Sequence, residues 1–302
     1  MTHAPKRFSV SAFRDFSRCS WYYKLARVDK VPEERITHHR WAGSLLHAAF
    51  QLAYGEPVQD PTLTGRNKTR WDVDNAGTIE DSMELFEMLW EGERSEDDPL
   101  VGPSRAQRAY DALSSDDQLT PPDLNQFANG QTVGLGKSGK NGRLPRGEIR
   151  DNWKVHYGTM LQKSLEVGLM YDVTEIEREA HYEMGGVPMI GYIDLVMRHP
   201  SGAEVYADLK SGWNLPQDKE LALDDQMASY YRAAGPGGEE PGAIWYFHMK
   251  TQSIVEIARN EPLIAALEET APVIAQKVAD GDFVRRISKD CASCSRLKSC
   301  MT

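Results

Sequence analysis

The spacing of apolar residues predicts helices in the first half of the chain and strands mixed with helices from residue 172 onward. In residues 41–54, for example, Leu45, Ala49 and Ala53 recur every four residues, which places them on one face of a helix. The predicted helices span residues 9–28, 41–54, 78–94, 104–113, 148–168, 218–234 and 262–280. The predicted strands span residues 172–184, 190–197, 204–209, 243–250 and 253–258.

Charged residues interrupt two of the predicted strands. Residues 190–197 and 204–209 are apolar and rich in strand formers, and the turn HPSG between them predicts a hairpin. Asp194 lies in the first strand, and Asp208 and Lys210 lie at the end of the second. Because strand side chains alternate, Asp208 and Lys210 share one face. The other face carries Val205, Ala207 and Leu209.

Two carboxylates and an ammonium group at the edge of apolar strands are costly to desolvate unless they bind something. A hard divalent cation, Mg²⁺ or Mn²⁺, takes oxygen ligands from Asp and from backbone carbonyls, which makes it the natural ligand. The alternative is a solvated strand end without chemistry, since D-x-K is a short pattern that also arises by chance.

Two predicted helices carry further polar candidates. His47 follows Gly43 by four residues, so the glycine lies one turn away and leaves room beside the imidazole. Gln226 and Tyr230 are also four apart and share one helix face. Taken alone, the histidine is equally well explained as a hydrogen-bonded or exposed helix residue, and the Gln–Tyr pair carries no information.

Composition narrows the class of protein. The chain has 302 residues, 40% hydrophobic and 26% charged, which is typical of a soluble globular protein with one large or two small domains. The start, MTHAPKRFSV, lacks the apolar run of a signal peptide, and no stretch approaches a membrane span; a cytoplasmic location without a membrane partner is the expectation. The net charge of −10 disfavours a protein that coats nucleic acid, but not an enzyme that touches DNA in one groove.

The four cysteines have an uneven distribution. Cys19 stands alone near the start, whereas Cys291, Cys294 and Cys300 form C-x₂-C-x₅-C near the end. Disulfides are not the default in a reducing compartment, and a zinc site would usually draw its ligands from two local knuckles. Cys19 by itself is also explained as a small core residue beside aromatic side chains.

Taken in order, the motifs G-x-x-x-H, G-x-I-D, D-x-K and Q-x-x-x-Y resemble those of the PD-(D/E)xK nuclease superfamily, specifically its RecB-type branch. One early cysteine followed by C-x₂-C-x₅-C resembles the iron–sulfur branch, which includes CRISPR-associated RecB-like exonucleases and the AddB nuclease domain. The resemblance implies an α/β fold with a restriction-endonuclease-like core, in which helices flank a central mixed sheet. It also implies that an iron–sulfur cluster joins the two termini.

The resemblance further implies roles for individual residues. It assigns the divalent metal, Mg²⁺ or Mn²⁺, to His47, Asp194, Asp208 and the carbonyl oxygen of Leu209. Lys210 would position the attacking water and stabilise developing charge, and Gln226 and Tyr230 would contact substrate or that water. It assigns a [4Fe–4S] cluster to Cys19, Cys291, Cys294 and Cys300. Glu177, Glu179 and Glu183 lie on one face of the strand at 172–184, and the family's auxiliary acid is matched to Glu179, with a solvated strand face as the alternative.

By this resemblance the chain forms a single domain over residues 1–302, with an insertion at about 55–147 and a cysteine segment at 285–302. The glycine-rich stretch 131–147 carries four cations and is either a mobile loop or a flap that contacts DNA phosphates. Trp213 and Tyr22 are candidates for base stacking, with core packing as the alternative.

The implied function is that of a metal-dependent DNA exonuclease acting on single strands or free ends. Its setting would be recombination, repair, phage replication or CRISPR adaptation, with a helicase or recombination partner supplying any unwinding. Two alternatives come from other classes: a non-catalytic DNA-end-binding scaffold on the same fold, and a zinc-stabilised protein-interaction domain.

Overall fold

A computed structural model describes most of the chain outside the middle segment. The described residues are 5–31, 38–59, 69–91, 146–199, 201–212, 214–233, 240–289, 291 and 294–301. The predicted helix at 104–113, Trp213 and all but the end of the glycine-rich stretch 131–147 lie outside them.

Five strands of the described residues form one sheet. In their order across the sheet they are β3 (Val173–Met184), β4 (Val187–Arg198), β5 (Glu204–Lys210), β6 (Ala243–His248) and β7 (Ser253–Ile257). β5 and β6 are parallel and the other neighbours antiparallel, so the predicted mixed sheet is confirmed. The turn between β3 and β4 uses Gly185 and Gly186 at φ 57° and 77°, a left-handed conformation that glycine adopts without strain.

Helices cover both faces of this sheet. They are α1 (Val10–Arg18), α2 (Ser20–Tyr23), a π-helix (Lys24–Val28), α3 (His38–Leu52), α4 (Ile79–Glu91), α5 (Arg146–Gly168), α6 (Asp218–Leu221), α7 (Asp225–Tyr230), α8 (Glu261–Asp280) and α9 (Leu297–Met301). A first core packs α3, α4 and α5 against one face of the sheet. A second core packs α1, α7 and α8 against the other face. The predicted arrangement of helices around a central sheet is confirmed.

Two predicted helices are interrupted in the structure. Residues 9–28 break at Cys19, which is extended. The hydroxyl of the next residue, Ser20, accepts a 2.8 Å hydrogen bond from the backbone N–H of Val284 near the other end of the chain. Residues 218–234 break at Asp224, whose carboxylate accepts hydrogen bonds from the backbone N–H groups of Gln226 and Met227. Asp at such a position favours a new helix start over a continuing helix.

Two short strands were not predicted. β1 (Glu56–Gln59) and β2 (Thr69–Asp72) pair antiparallel within the segment predicted to be an insertion. The sequence gives no alternation long enough to predict strands of this length. No helix among the described residues is long and apolar enough to cross a membrane.

The sheet divides at one place between β4 and β5. Residues 195–198 of β4 pair with residues 204–207 of β5. Farther along, the same edge of β4 is taken by Phe8, which exchanges backbone hydrogen bonds of 2.9 and 2.7 Å with Pro188 and Ile190. Between these two pairings, no ladder pair joins residues 191–194 of β4 to residues 208–210 of β5, and we call this opening the split.

Candidate active site

The split holds both predicted aspartates. Asp194 and Asp208 are each 0% exposed. The Oδ2 atom of Asp194 accepts a 2.8 Å hydrogen bond from the backbone N–H of Leu209, in place of a carbonyl from the neighbouring strand. A buried backbone donor needs such a partner, so Asp194 maintains the sheet at the point where its ladder stops.

Asp208 lies at the centre of a group of side chains. The amide of Gln226 donates a 2.8 Å hydrogen bond to Oδ1 of Asp208, and Lys210 forms an ion pair with Oδ2. The predicted placement of Asp208 and Lys210 on one face of β5 agrees with the core, because Val205, Ala207 and Leu209 pack into the first core on the opposite face. The structure therefore brings the D-x-K pair and the glutamine of Q-x-x-x-Y together.

Tyr230 lies behind this group, away from solvent. Its hydroxyl donates a 2.8 Å hydrogen bond to the carbonyl of Tyr192 in β4, and it accepts one of 2.7 Å from the amide of Gln226. The Tyr230 side chain is 2% exposed. Tyr230 thus satisfies a β4 carbonyl that the split leaves without a ladder partner, and it orients Gln226 toward Asp208.

His47 approaches the split from α3. Its Nδ1 atom lies 3.8 Å from Oδ2 of Asp194, beyond hydrogen-bond length. The room left by Gly43 is taken by Ser211, not by the imidazole as the sequence suggested: a methyl group at Gly43 would lie 2.8 Å from the Ser211 hydroxyl oxygen. The glycine therefore lets α3 approach the residue that follows Lys210.

A further carboxylate that the sequence did not single out lies near the split. Glu177 in β3 lies opposite Asp194, between the pairs formed by Ile176 with Leu195 and by Arg178 with Ile193. The amide of Gln51, which is 0% exposed, donates a 2.8 Å hydrogen bond to Glu177. Gln51 follows His47 by one helical turn, so an inward-facing His–Gln pair on α3 was the signal that could have found this contact.

The backbone is irregular at Glu177. Its φ is 51°, in the left-handed region that non-glycine residues seldom adopt. Ile176 and Leu195 face the first core, whereas Ile193, two rows farther along, faces the second. In an uninterrupted ladder both rows would face the same side, so the alternation of the sheet breaks where Glu177 and Asp194 meet.

Glu179, the acid matched from the sequence, has other partners. It accepts a hydrogen bond of 3.1 Å from the Tyr192 hydroxyl, and the His181 imidazole lies 2.8 Å from its other oxygen. Its backbone pairs with Tyr192, two rows from Asp194. Of the two glutamates, Glu177 is the one that lies opposite Asp194 in the strand register.

The chemistry of the split fits a divalent cation. Its carboxylate oxygens and backbone carbonyl suit Mg²⁺ or Mn²⁺, and the imidazole of His47 lies beside them. Within the described ranges, no three His, Cys, Asp or Glu side chains are gathered closely enough to hold an ion as they stand. Asp208 is instead paired with Lys210, so an ion at Asp208 would have to replace this cation.

The cysteines lie in one neighbourhood without forming a closed ligand set. All four are free thiols of intermediate exposure. Burial raises the pKa of the Cys300 thiol, and Cys19, Cys291 and Cys294 lie near enough to raise it further, against the opposing effect of Arg285. In the part of the chain that is described they form no metal-ligating group, so the predicted junction of the termini by a cluster is not shown.

Tyr22 is engaged within the protein. Its hydroxyl accepts a 2.9 Å hydrogen bond from Arg296, and the same guanidinium lies 5.1 Å from the centre of its ring. These contacts favour the packing alternative for Tyr22 over base stacking.

Comparison with known proteins places the chain in a family. The model of the PD-(D/E)XK nuclease superfamily matches residues 7–301. No curated protein matches the sequence. Fifteen solved chains match the structure. One is a crystal structure of SSO0001, 17% identical, which covers 49% of this chain and 76% of its own length at a TM-score of 0.27.

Proposed function

Because the chain belongs to the PD-(D/E)XK nuclease superfamily, we propose that it is a metal-dependent deoxyribonuclease that digests DNA from free ends, with a preference for single strands. One observation supports this most strongly: two fully buried aspartates lie at the split, and Asp208 contacts both Lys210 and Gln226. Buried charges of this kind are costly to fold and are typical of active sites.

Four groups of this chain would hold the metal, namely His47, Asp194, Asp208 and the carbonyl oxygen of Leu209. A bound Mg²⁺ or Mn²⁺ supplies Lewis acidity at the scissile phosphate and lowers the pKa of a water molecule. Asp194 already accepts the Leu209 N–H, so its carboxylate lies beside the residue whose carbonyl oxygen is the fourth proposed ligand.

Lys210 is the residue that would act on the reacting atoms. Its side chain is 31% exposed, so its ammonium group can turn from Asp208 toward solvent and substrate without unfolding the strand. Once released, the ammonium would hold the attacking water and stabilise charge on the phosphate in the transition state.

Gln226 and Tyr230 would have different roles, although the sequence predicted one shared role for the pair. Gln226 is half-buried beside Asp208 and is placed to contact the substrate or the attacking water. Tyr230 is a positioning residue, since its hydroxyl is occupied by Tyr192 and Gln226. We further assign the auxiliary acid to Glu177, on the grounds of its position opposite Asp194 and its contact with Gln51.

A cleavage assay tests this function. Wild type, Asp208→Ala and Lys210→Ala would be incubated with Mn²⁺ and end-labelled linear or circular single-stranded DNA, with Asp282→Asn as a control at an exposed acid paired with Lys277. We expect wild type and the control to digest linear DNA only, and both site variants to be folded and inactive. Cleavage of the circles would indicate an endonuclease. Equal binding of DNA ends by all four proteins without any cleavage would favour the scaffold alternative.

We also propose that the four cysteines hold a [4Fe–4S] cluster. The support is the neighbourhood of Cys300, where the other three thiols all influence its pKa. A cubane cluster binds one thiolate at each of four irons, so its cysteines are spread more widely than the ligands of a single ion. Protein purified without oxygen should be brown and contain iron and sulfide in equal amounts; stoichiometric zinc without iron would contradict the proposal.

A further inference from the structure

We propose that His248 is a positioning residue for Lys210. It acts by fixing the segment of chain that follows Lys210 at the end of β5. This inference rests on the proposed nuclease function. His248 ends β6, and in the parallel register of β5 and β6 it is the direct neighbour of Lys210. It is 0% exposed.

His248 lies on the face of the sheet that carries the site. Tyr246, two residues earlier, pairs with Asp208 and packs into the second core. The rings of Tyr246 and His248 are stacked, with centroids 6.4 Å apart and an interplanar angle of 20°. The imidazole therefore lies on the same face of the sheet as Asp208 and Lys210, across β5 from the split.

The hydrogen bonds of His248 reach past Lys210. Its Nε2 atom lies 2.8 Å from the carbonyl oxygen of Gly212, and its Nδ1 atom lies 2.8 Å from the hydroxyl of Thr251. A carbonyl only accepts, so Nε2 carries the proton and donates. The bond joins the end of β6 to the second residue after the proposed catalytic lysine.

The chain after Lys210 is thus held at three successive residues. The carbonyl of Lys210 accepts a 2.9 Å hydrogen bond from the N–H of Met249. Ser211 lies against Gly43 of α3, at a distance that leaves no room for a methyl group. Gly212 is bound by His248 from the side of β6. Restraint from both sides limits the backbone freedom of Lys210, so its ammonium group pivots from a fixed base.

Burying an imidazole at the end of a strand costs free energy of folding that packing alone would not require. An apolar side chain would fill the same space without a polar group to satisfy. The geometry favours a second purpose, because effective catalysis by an ammonium group depends on its being held within a fraction of an ångström.

Two substitutions separate the positioning role from packing. In His248→Gln the amide nitrogen can occupy the place of Nε2 and donate to Gly212. In His248→Asn it occupies the place of Nδ1 and falls short of Gly212. We expect His248→Asn to lower kcat on single-stranded DNA about tenfold with KM changed less than about twofold, and His248→Gln to restore most of kcat. The melting temperatures of the two variants should be similar.

Each outcome decides the inference. Wild-type kcat in His248→Asn would overturn it, and so would an equal loss of kcat in the Gln and Asn variants. If neither variant folds, Thr251→Val at an exposed position decides instead: a loss of kcat of about twofold at unchanged KM is expected, and no change contradicts the inference. If wild type itself does not cut DNA, the nuclease proposal fails and this inference fails with it, whereas active wild type with active His248→Asn rejects only the inference.

Discussion

At the scale of single residues, Asp194 has two tasks that can be separated by substitution. Its carboxylate accepts the Leu209 N–H within the sheet, and it is a proposed metal ligand. Other residues of the site combine tasks in the same way: Tyr230 supports both the β4 backbone and Gln226.

Asp194→Asn should remove activity while preserving the fold. Asparagine keeps an oxygen acceptor for Leu209 but lacks the charge that a cation requires, so we expect at least about a 1,000-fold loss of cleavage and little change in unfolding free energy. Asp194→Ala should be equally inactive and also less stable by about 1–3 kcal/mol, because it leaves a buried N–H unsatisfied. Urea denaturation in EDTA measures the stability; equal stability of the two variants would contradict the account of the split.

The contact between Gly43 and Ser211 predicts a double-mutant cycle. Alanine is better than glycine within a helix by about 1 kcal/mol. In wild type, Gly43→Ala should gain none of this, because the new methyl group meets the Ser211 hydroxyl. In the Ser211→Ala background the hydroxyl is gone, and the same change should stabilise by about 0.5–1 kcal/mol. Additive effects in denaturant titrations would show that the two residues do not interact.

The imidazole of His248 should make folding sensitive to acid. Burial lowers its pKa, with Lys250 adding to the shift and the Gly212 carbonyl opposing it. The unfolded chain therefore takes up the proton first, so this contribution to stability is complete above about pH 6.5 and is lost as the pH falls below that value.

Thermal melts at two pH values test this. Between about pH 7.5 and about pH 5.5, the melting temperature of wild type should fall more than that of His248→Gln. His156, whose pKa is also lowered by burial and by Lys250, remains in both proteins and cancels from the comparison. Identical falls would mean that His248 does not titrate differently in the folded and unfolded chains.

At the scale of elements, the β3–β4 turn offers a matched pair of glycines. A side chain at Gly186 meets nothing within 4 Å, whereas one at Gly185 collides with the carbonyl oxygen of Glu268 in α8. Gly186→Ala should cost about 1–2 kcal/mol, the strain of a left-handed residue. Gly185→Ala should cost about 3 kcal/mol or more, because the collision adds to that strain. Equal midpoints in urea would contradict the packing of this turn on α8.

Some features of these elements could be predicted from the sequence and others could not. The face shared by Asp208 and Lys210 was predictable because β5 alternates regularly. The conformation of Glu177 was not, since its left-handed backbone coincides with a contact to Gln51, 126 residues away in the chain. The helix breaks at Cys19 and Asp224 differ in the same respect. The break at Asp224 is a local cap, visible in principle, whereas the break at Cys19 lies beside a contact between Ser20 and the distant Val284.

At the scale of the whole molecule, ion pairs tie the start of the chain to the site. Arg14 in α1 pairs with Asp224 and Asp225, and Asp224 caps the helix that carries Gln226. Arg27 offers a control, because its side chain is also 42% exposed but pairs locally with Asp15. The contacts of Arg14 join residues that are distant in the sequence, whereas the Arg27–Asp15 pair lies within the N-terminal helices.

Arg14→Gln and Arg27→Gln should therefore differ in activity more than in stability. Exposed ion pairs contribute about 0.2–1 kcal/mol each, so both variants should unfold at similar denaturant concentrations. We expect Arg14→Gln to lower kcat several-fold, because α7 loses an anchor, and Arg27→Gln to leave kcat unchanged. Cleavage rates at low and high salt measure this, since high salt should lower the wild-type rate toward that of Arg14→Gln. Equal rates of wild type and Arg14→Gln at low salt would contradict a role of this ion pair in the site.

The split also gives the protein a built-in spectroscopic reporter. The amide proton of Leu209 points at a side-chain carboxylate, whereas the amides of a regular strand point at the carbonyls of a neighbouring strand. Any ion that draws electron density from Asp194 weakens the hydrogen bond from the Leu209 N–H, while the backbone hydrogen bonds of the ladder are unaffected. The nitrogen and proton resonances of a single backbone amide would then follow occupancy of the site, in the absence of DNA and without any label on the substrate.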